Sequence, residues 1–293
     1  VYGDSDGISG VVVDRYGDFV VAQLNTAGAE RYGQVLVDAL VEILSPTGIL
    51  LRADSRSRQE QGLESHSEVA WGDVPDRVEI RENGTRFLVP VREGQKTGWF
   101  YDHRENRARL SRLCRGARVL DVYSYIGGWG VQAALAGARE VLCLDTAAAA
   151  LDLARENASL NGVGDTVQVR RGRADQSLRE LADAEESFDV VVLDPPAFVQ
   201  RRRDLGKGRK AYQRINELAL QLLKPGGLLV SASCSMHLPE QDLVDAIAAA
   251  SRRTRRPLRI THLGGQAADH PVHPAIPETR YLKAVFADLN PAD

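Results

Sequence analysis

The stretch Arg118-Val-Leu-Asp121-Val-Tyr-Ser124-Tyr125-Ile-Gly127-Gly128-Trp-Gly130 carries the key to the fold. Its first five residues form a short apolar run of the kind buried in parallel sheets, and a glycine-rich turn then leads into a helix over 130–136. Downstream the same rhythm repeats. Strands are predicted at 141–144, 167–171, 188–193 and 228–233, with helices at 147–160, ended by Asn161-Gly162, and at 211–223, ended by Pro225-Gly226-Gly227. A helix over 240–252 and strands at 258–263 and 281–287 close the chain. Such alternation predicts an α/β fold with a parallel, doubly wound sheet covered on both faces. Ligands on such sheets bind at the carboxyl ends of the strands, near the switch point.

Upstream, residues 10–92 read as a smaller α/β unit. Strands at 10–15 and 19–24 flank a Tyr16-Gly17-Asp18 turn, a helix over 34–44 stops at Pro46, and a third strand covers 49–53. A hairpin of 77–82 and 85–91 turns at Asn83-Gly84. The expected division is 1–92 for this unit and 93–293 for the doubly wound one. The chain of 293 residues is 43% hydrophobic and 26% charged, with a net charge of −3 from 37 Lys and Arg against 40 Asp and Glu. That excludes a disordered chain, a collagen-like fibre and a uniformly basic nucleic-acid coat. No apolar run suits a membrane-spanning helix, and VYGDSDGISG is no signal peptide. Lacking an initiator Met, it reads as a start part-way into a longer protein. Three widely spaced cysteines (Cys114, Cys143 and Cys234) favour a reducing cytoplasm over disulfides or zinc. His270 and His273 have no partners at metal-ligand spacing, so no metal is expected.

At the predicted strand ends the residue types become specific. Asp121, Ser124, Tyr125, Gly127 and Gly128 form the first turn, and Asp145 ends the next strand, where an acid can accept two ribose hydroxyls. The pattern alone suits any adenosine cofactor, NAD included. The glycines do not follow G-x-G-x-x-G, however, and a carboxylate at the turn repels a pyrophosphate while attracting an α-amino group or sulfonium. S-adenosylmethionine is therefore favoured over NAD. Asp194-Pro195-Pro196-Ala-Phe198 ends the fourth strand; the prolines fix an extended exit, either as a plain turn or to hold Asp194 beside a planar substrate. Cys234, in Ser231-Ala-Ser-Cys-Ser235, lies at the ligand edge, unlike Cys143 within a strand and Cys114 on a helix flank.

Cys234 and Asp194 at neighbouring strand ends suggest one chemistry. A thiolate adding to C6 of cytosine makes C5 nucleophilic enough to take a methyl group, with Asp194 at the N3–C4 edge stabilising the developing charge. Arg201, Arg202, Arg203, Lys207, Arg209 and Lys210 follow; they are either a solvated loop or a phosphate-contacting patch. The second basic cluster, at 252–256, is compatible with an ordinary helix C-terminus.

These segments together resemble the bacterial 23S ribosomal RNA 5-methylcytosine methyltransferases that carry an N-terminal PUA domain. The resemblance rests on residues 5–16, Gly94-Gln-Lys-Thr-Gly-Trp-Phe-Tyr-Asp-His-Arg-Glu-Asn-Arg107, the Asp121–Gly128 turn, Asp194-Pro-Pro-Ala-Phe198, Ala232-Ser-Cys-Ser235 and Pro277-Glu-Thr-Arg-Tyr-Leu-Lys283. It implies a Rossmann-like class I methyltransferase domain after a small, RNA-contacting α/β domain. Cys234 would be the nucleophile, with Phe100, Asp102, Asp194 and Pro195 near S-adenosylmethionine. Ribosomal RNA is the implied partner, and a homodimer is compatible with the sequence. Two features depart from the pattern. The family's PUA domain is expected to be missing from this sequence, and Arg173 stands where an acid or amide usually reads the adenine, leaving Asp175 two residues later as reader. Methylation of an exocyclic amine and a non-catalytic RNA-binding role are the competing readings.

Overall fold

The computed structural model describes residues 1–290, which form two compact units. The first comprises Val1–Glu82, Arg86–Asp102 and Ala267–Thr279; the second comprises Asn83–Thr85, His103–Gln266 and the chain from Arg280 onward. The break expected after residue 92 thus falls after Asp102. Buried polar contacts tie the added segments to the first unit. The Tyr16 hydroxyl bonds Thr97 Oγ1 at 2.9 Å and accepts from Trp99 N at 3.1 Å, while Trp99 Nε1 donates to Glu82 at 2.8 Å. Ala267 N donates to Asp102 O at 2.9 Å.

In the first unit, β1 (Val11–Tyr16), β2 (Phe19–Leu24), β3 (Gly48–Ala53) and β4 (His66–Gly72) form one sheet in that order, with only β2 and β3 parallel. Helices α1 (Ala27–Arg31) and α2 (Gly33–Leu44) join β2 to β3, and α2 packs Val37 and Leu40 on Val20 and Ile49. A third, short helix, α3 (Arg56–Glu60), precedes β4. The hairpin of β5 (Arg77–Glu82) and β6 (Thr85–Pro90) turns at Asn83-Gly84 as expected. Sequence gives no sign of β4, because it has no buried face and so no alternation.

The second unit runs α4 (Arg104–Ser111), β7 (Arg118–Val122), α5 (Gly128–Leu135), β8 (Glu140–Asp145), α6 (Ala148–Leu160), β9 (Val167–Arg171), α7 (Ala174–Asp183), β10 (Phe188–Leu193), α8 (Leu205–Leu222), β11 (Leu223–Ser233), α9 (Glu240–Thr254), β12 (Leu258–Gly264) and β13 (Lys283–Leu289). Its sheet has the order β12-β13-β11-β10-β7-β8-β9. The doubly wound α/β expectation holds, with one change. β13 lies antiparallel between β11 and β12, because the chain reaches the outer β12 first and returns inward. The strands from β11 to β9 are parallel. Leu120, Val191, Leu193 and Leu229 form the core with Leu218 of α8 and Ile247 of α9.

Helix α8 starts at Leu205 rather than 211, so Lys207, Arg209 and Lys210 are helical and not in a loop. Glycines such as those at 206 and 208 are poor helix formers. Gly208 is there for packing instead: a Cβ on it would lie 2.2 Å from Val199 Cγ2.

Gly130 sets the distance between α5 and the sheet. A Cβ there would stand 2.5 Å from Cys143 Sγ and 3.1 Å from Asp121 Oδ2. Gly130→Ala is expected to cost about 1–3 kcal/mol through overpacking, read as a lower urea midpoint at unchanged slope. An unchanged midpoint would mean that α5 can retreat from β8 freely.

Candidate functional site

β7 and β10 are adjacent parallel strands whose chains leave in opposite directions, one toward β8 and the other toward β11. Their carboxyl ends therefore open a crevice at the switch point. The turn after β7 is tightly specified. Tyr123 and Tyr125 have φ of 66° and 50°, and Gly127 has 85°. Positive φ in two bulky residues is strained and persists only where surrounding contacts over-determine it. Those contacts come from the end of β8. Tyr123 N and Ser124 N donate to Leu144 O at 2.8 and 3.1 Å, and Tyr125 N donates to Asp145 Oδ2 at 2.9 Å. Asp145 Oδ1 accepts from Ala147 N at 3.0 Å, so two backbone donors fix this half-buried carboxylate.

Asp121 is fully buried. Its Oδ2 accepts from Gly130 N at 2.9 Å, and its Oδ1 has no hydrogen-bond partner among the described residues. Burial pushes its carboxyl up to about 7 against the bond from Gly130, with Asp194 and Asp145 raising it further and Arg107 opposing. Three carboxylates thus act on one locus with a single guanidinium, a field that favours a cationic ligand over a pyrophosphate.

Asp194 directly follows β10, and Pro195 beside it is buried. Its Oδ2 accepts from Trp129 Nε1 at 3.0 Å, and its Oδ1 lies 3.3 Å from His103 Nε2. The Asn106 amide donates to Gly265 O at 2.9 Å, which orients its Nδ2 toward His103 Nδ1 at 3.2 Å. Nδ1 is then the acceptor, which leaves Nε2 to carry a proton on the side facing Asp194. Sequence reading did not single out Trp129, His103 or Asn106 as functional. A buried polar partner has no periodicity, so only the appearance of the last two within 94–107 pointed to them.

Cys234 lies just past β11, and Leu193 of β10 is registered with Ser231 of β11. It is half-exposed, whereas Cys114 and Cys143 are buried. Burial pushes the Cys114 thiol up to about 12 and raises the Cys143 thiol well above the usual range, which keeps both inert. Tyr212 braces the segment around Cys234, its hydroxyl lying 2.7 Å from Ser233 Oγ and 2.9 Å from Ser235 Oγ.

The other expected site residues have the following surroundings. Asp175, second in α7, is half-buried and pairs with Arg173 at 3.3 Å and Arg179 at 3.6 Å. Phe100 and Asp102 belong to the first unit, where Lys96 Nζ lies 3.1 Å from Asp102 and 4.5 Å from the Phe100 ring centre. Arg201, Arg202, Arg203, Lys207 and Lys210 are exposed. Arg209 is also exposed, and it is engaged by Asp242 at 3.6 Å and Asp245 at 3.7 Å of α9. Among the described residues no three His, Cys, Asp or Glu are grouped to hold a metal, and no helix is long and apolar enough to cross a membrane.

The profile of the S-adenosylmethionine-dependent methyltransferases matches residues 37–262. Ribosomal RNA large subunit methyltransferase I of Aeromonas salmonicida is 41% identical over 285 residues, 96% of this chain and 72% of its own length. The enzyme of that name from Aeromonas hydrophila is 42% identical over 287 residues, again 96% and 72%. The crystal structure of SMU.776 complexed with SAH superposes with a TM-score of 0.87 at 22% identity, covering 98% of this chain and 74% of that one.

The buried Asp121 makes stability pH-dependent. Because its carboxyl is raised to about 7, the folded state holds a proton that the unfolded chain releases near 4. Its contribution is full below about 4 and is lost as pH rises through about 7, with a steepest slope of about 1.4 kcal/mol per pH unit. Asp121→Asn should remove this component. Urea unfolding of both proteins from pH 4.5 to 8 checks it, and parallel stability curves would contradict it.

Proposed function

The chain belongs to the S-adenosylmethionine-dependent methyltransferase family, and from that premise we propose that it methylates C5 of a cytosine in 23S ribosomal RNA, in the cytoplasm, through a covalent bond from Cys234 to C6. The observation that carries this reading is a half-exposed thiol beyond β11 next to the strand end that bears Asp194, in a chain whose other two thiols are buried.

The cofactor supplies an electrophilic methyl group on a sulfonium. The residues present suit it: Asp121, with a buried oxygen lacking a partner, would take the α-ammonium, and Asp145 the ribose hydroxyls. Ser124, Tyr125, Gly127 and Gly128 would line the turn, Pro195 and Asp194 the opposite wall, and Asp175 the adenine. The Cys234 thiolate would add to C6 and make C5 nucleophilic. The methyl–sulfur bond of the donor would break as the bond to C5 forms, leaving a neutral thioether. Loss of the C5 proton and cleavage of the C6–S bond restore the aromatic base and the thiolate. Asp194, held by Trp129 and faced by His103, would receive the N3–C4 edge of the base. A paired target would have to be flipped out of its stack. Arg201, Arg202, Arg203, Lys207 and Lys210 supply exposed charge for RNA phosphates, with Arg209 tied to α9 beside them.

Two experiments test this function. Cys234→Ala should abolish methylation of ribosomal RNA, and RNA carrying 5-fluorocytosine should accumulate a Cys234 adduct visible by mass spectrometry, since fluorine cannot leave as a proton. Turnover retained by Cys234→Ala would favour transfer to an exocyclic amine. Separately, Asp121→Asn should weaken S-adenosylmethionine binding by about 10–100-fold in calorimetry, the worth of one charged hydrogen bond. Unchanged affinity would remove Asp121 from the cofactor site.

A further inference from the structure

Lys283 opens β13, and its side chain is among the most buried charged groups in the second unit, with the residue 3% exposed. The next four residues, Ala284, Val285, Phe286 and Ala287, are all buried apolar ones. A methionine there would avoid the cost of desolvating an ammonium. The ammonium is nevertheless kept and held in place. It donates to Ser235 O at 2.6 Å and to Tyr281 O at 2.7 Å, which engages two of its three donors. Register brings it to this spot, because Lys283 pairs with Ser233 across the antiparallel β11–β13 ladder and Cys234 is the next residue along.

The charges that face Lys283 are few. Burial lowers its ammonium to about 8, opposed by Cys234 and Glu240 and reinforced by Arg280. It therefore remains charged at neutral pH. Glu240 is already paired with Arg280 at 3.0 Å, so those two offset each other, and Cys234 is the remaining titratable group that acts on Lys283. Tyr212, bonded to Ser233 and Ser235 on either side of Cys234 in the chain, is kept protonated by burial and adds no negative charge.

We propose that Lys283 is the positioning cation that keeps Cys234 as a thiolate in the resting enzyme and sets its segment by gripping the carbonyl of Ser235. The thiol proton passes to solvent and Lys283 retains its own. Each time the C6–S bond breaks, the departing thiolate again meets the ammonium. This role rests on Cys234 being the nucleophile proposed above.

The test is the pH profile of Cys234 alkylation by iodoacetamide, followed by mass spectrometry on the intact enzyme without RNA or cofactor. In the wild type the labelling midpoint should lie below the free-thiol value of about 8.5. In Lys283→Met it should rise by about one unit, with labelling at pH 7 slowed about tenfold, and Lys283→Arg should restore most of the rate. A purely structural role would change the plateau rate at high pH and leave the midpoint in place, which would overturn the proposal. If the Met variant does not fold, the wild-type profile decides alone, since a midpoint at or above the free-thiol value refutes it. Because labelling needs no methyl transfer, a failed 5-fluorocytosine trap alongside an intact shift would count against the C5 reaction and not against Lys283.

Discussion

A fully buried carboxyl group organises the second unit. Asp121 is drawn into the sheet by its place on β7, and the Gly130 N–H and the Arg107 guanidinium offset its burial. Gly130 can donate that bond because it lacks a side chain, so α5 comes close enough to the sheet to face both Cys143 of β8 and Asp121 of β7. The strained Tyr123–Gly127 turn lies between these elements and is held from β8. Helix position, turn conformation and charge at the switch point are therefore one linked set. An oxygen buried without a partner costs about 1–3 kcal/mol, which a bound cation can return. The fold is thus matched to a positively charged ligand at this point, as the cofactor of its family is.

The opposite wall follows a different logic. Asp194 and Cys234 leave adjacent parallel strands, and each is framed by groups that restrict it. Trp129, His103 and the buried Pro195 surround the carboxylate. Tyr212, through two serine hydroxyls, and Lys283, through a carbonyl, bracket the thiol. Rigid framing suits the proposed reaction, in which a base must meet nucleophile and methyl donor at once, since small misplacements lower rates steeply. The antiparallel β13 matters for this reason. A sixth parallel strand would not have brought Lys283 into register with Ser233.

Much of this was legible in the chain. Apolar runs of four to six residues, separated by helical periodicity, specified β7, β8, β10 and the helices between them, because buried parallel strands leave a continuous apolar signal. Asp121, Asp145, Asp194 and Cys234 stood out because each directly follows or ends such a run. β4 did not, having no buried face to produce alternation. The start of α8 was hidden because Gly208, a packing glycine, has the signature of a loop.

Sequence by itself determined the doubly wound class, the strand ends and the residue types presented there, since all of these follow from local pattern. Tertiary structure alone decided that β13 runs backwards between β11 and β12, that the first unit reclaims 267–279, and that His103 and Trp129 face Asp194 while Lys283 grips the segment of Cys234. Those contacts join residues from 49 to 91 positions apart, wherever two numbers such as 234 and 283 or 103 and 194 meet. Their free energy comes from burying polar groups against one another, a term that has no period along the chain.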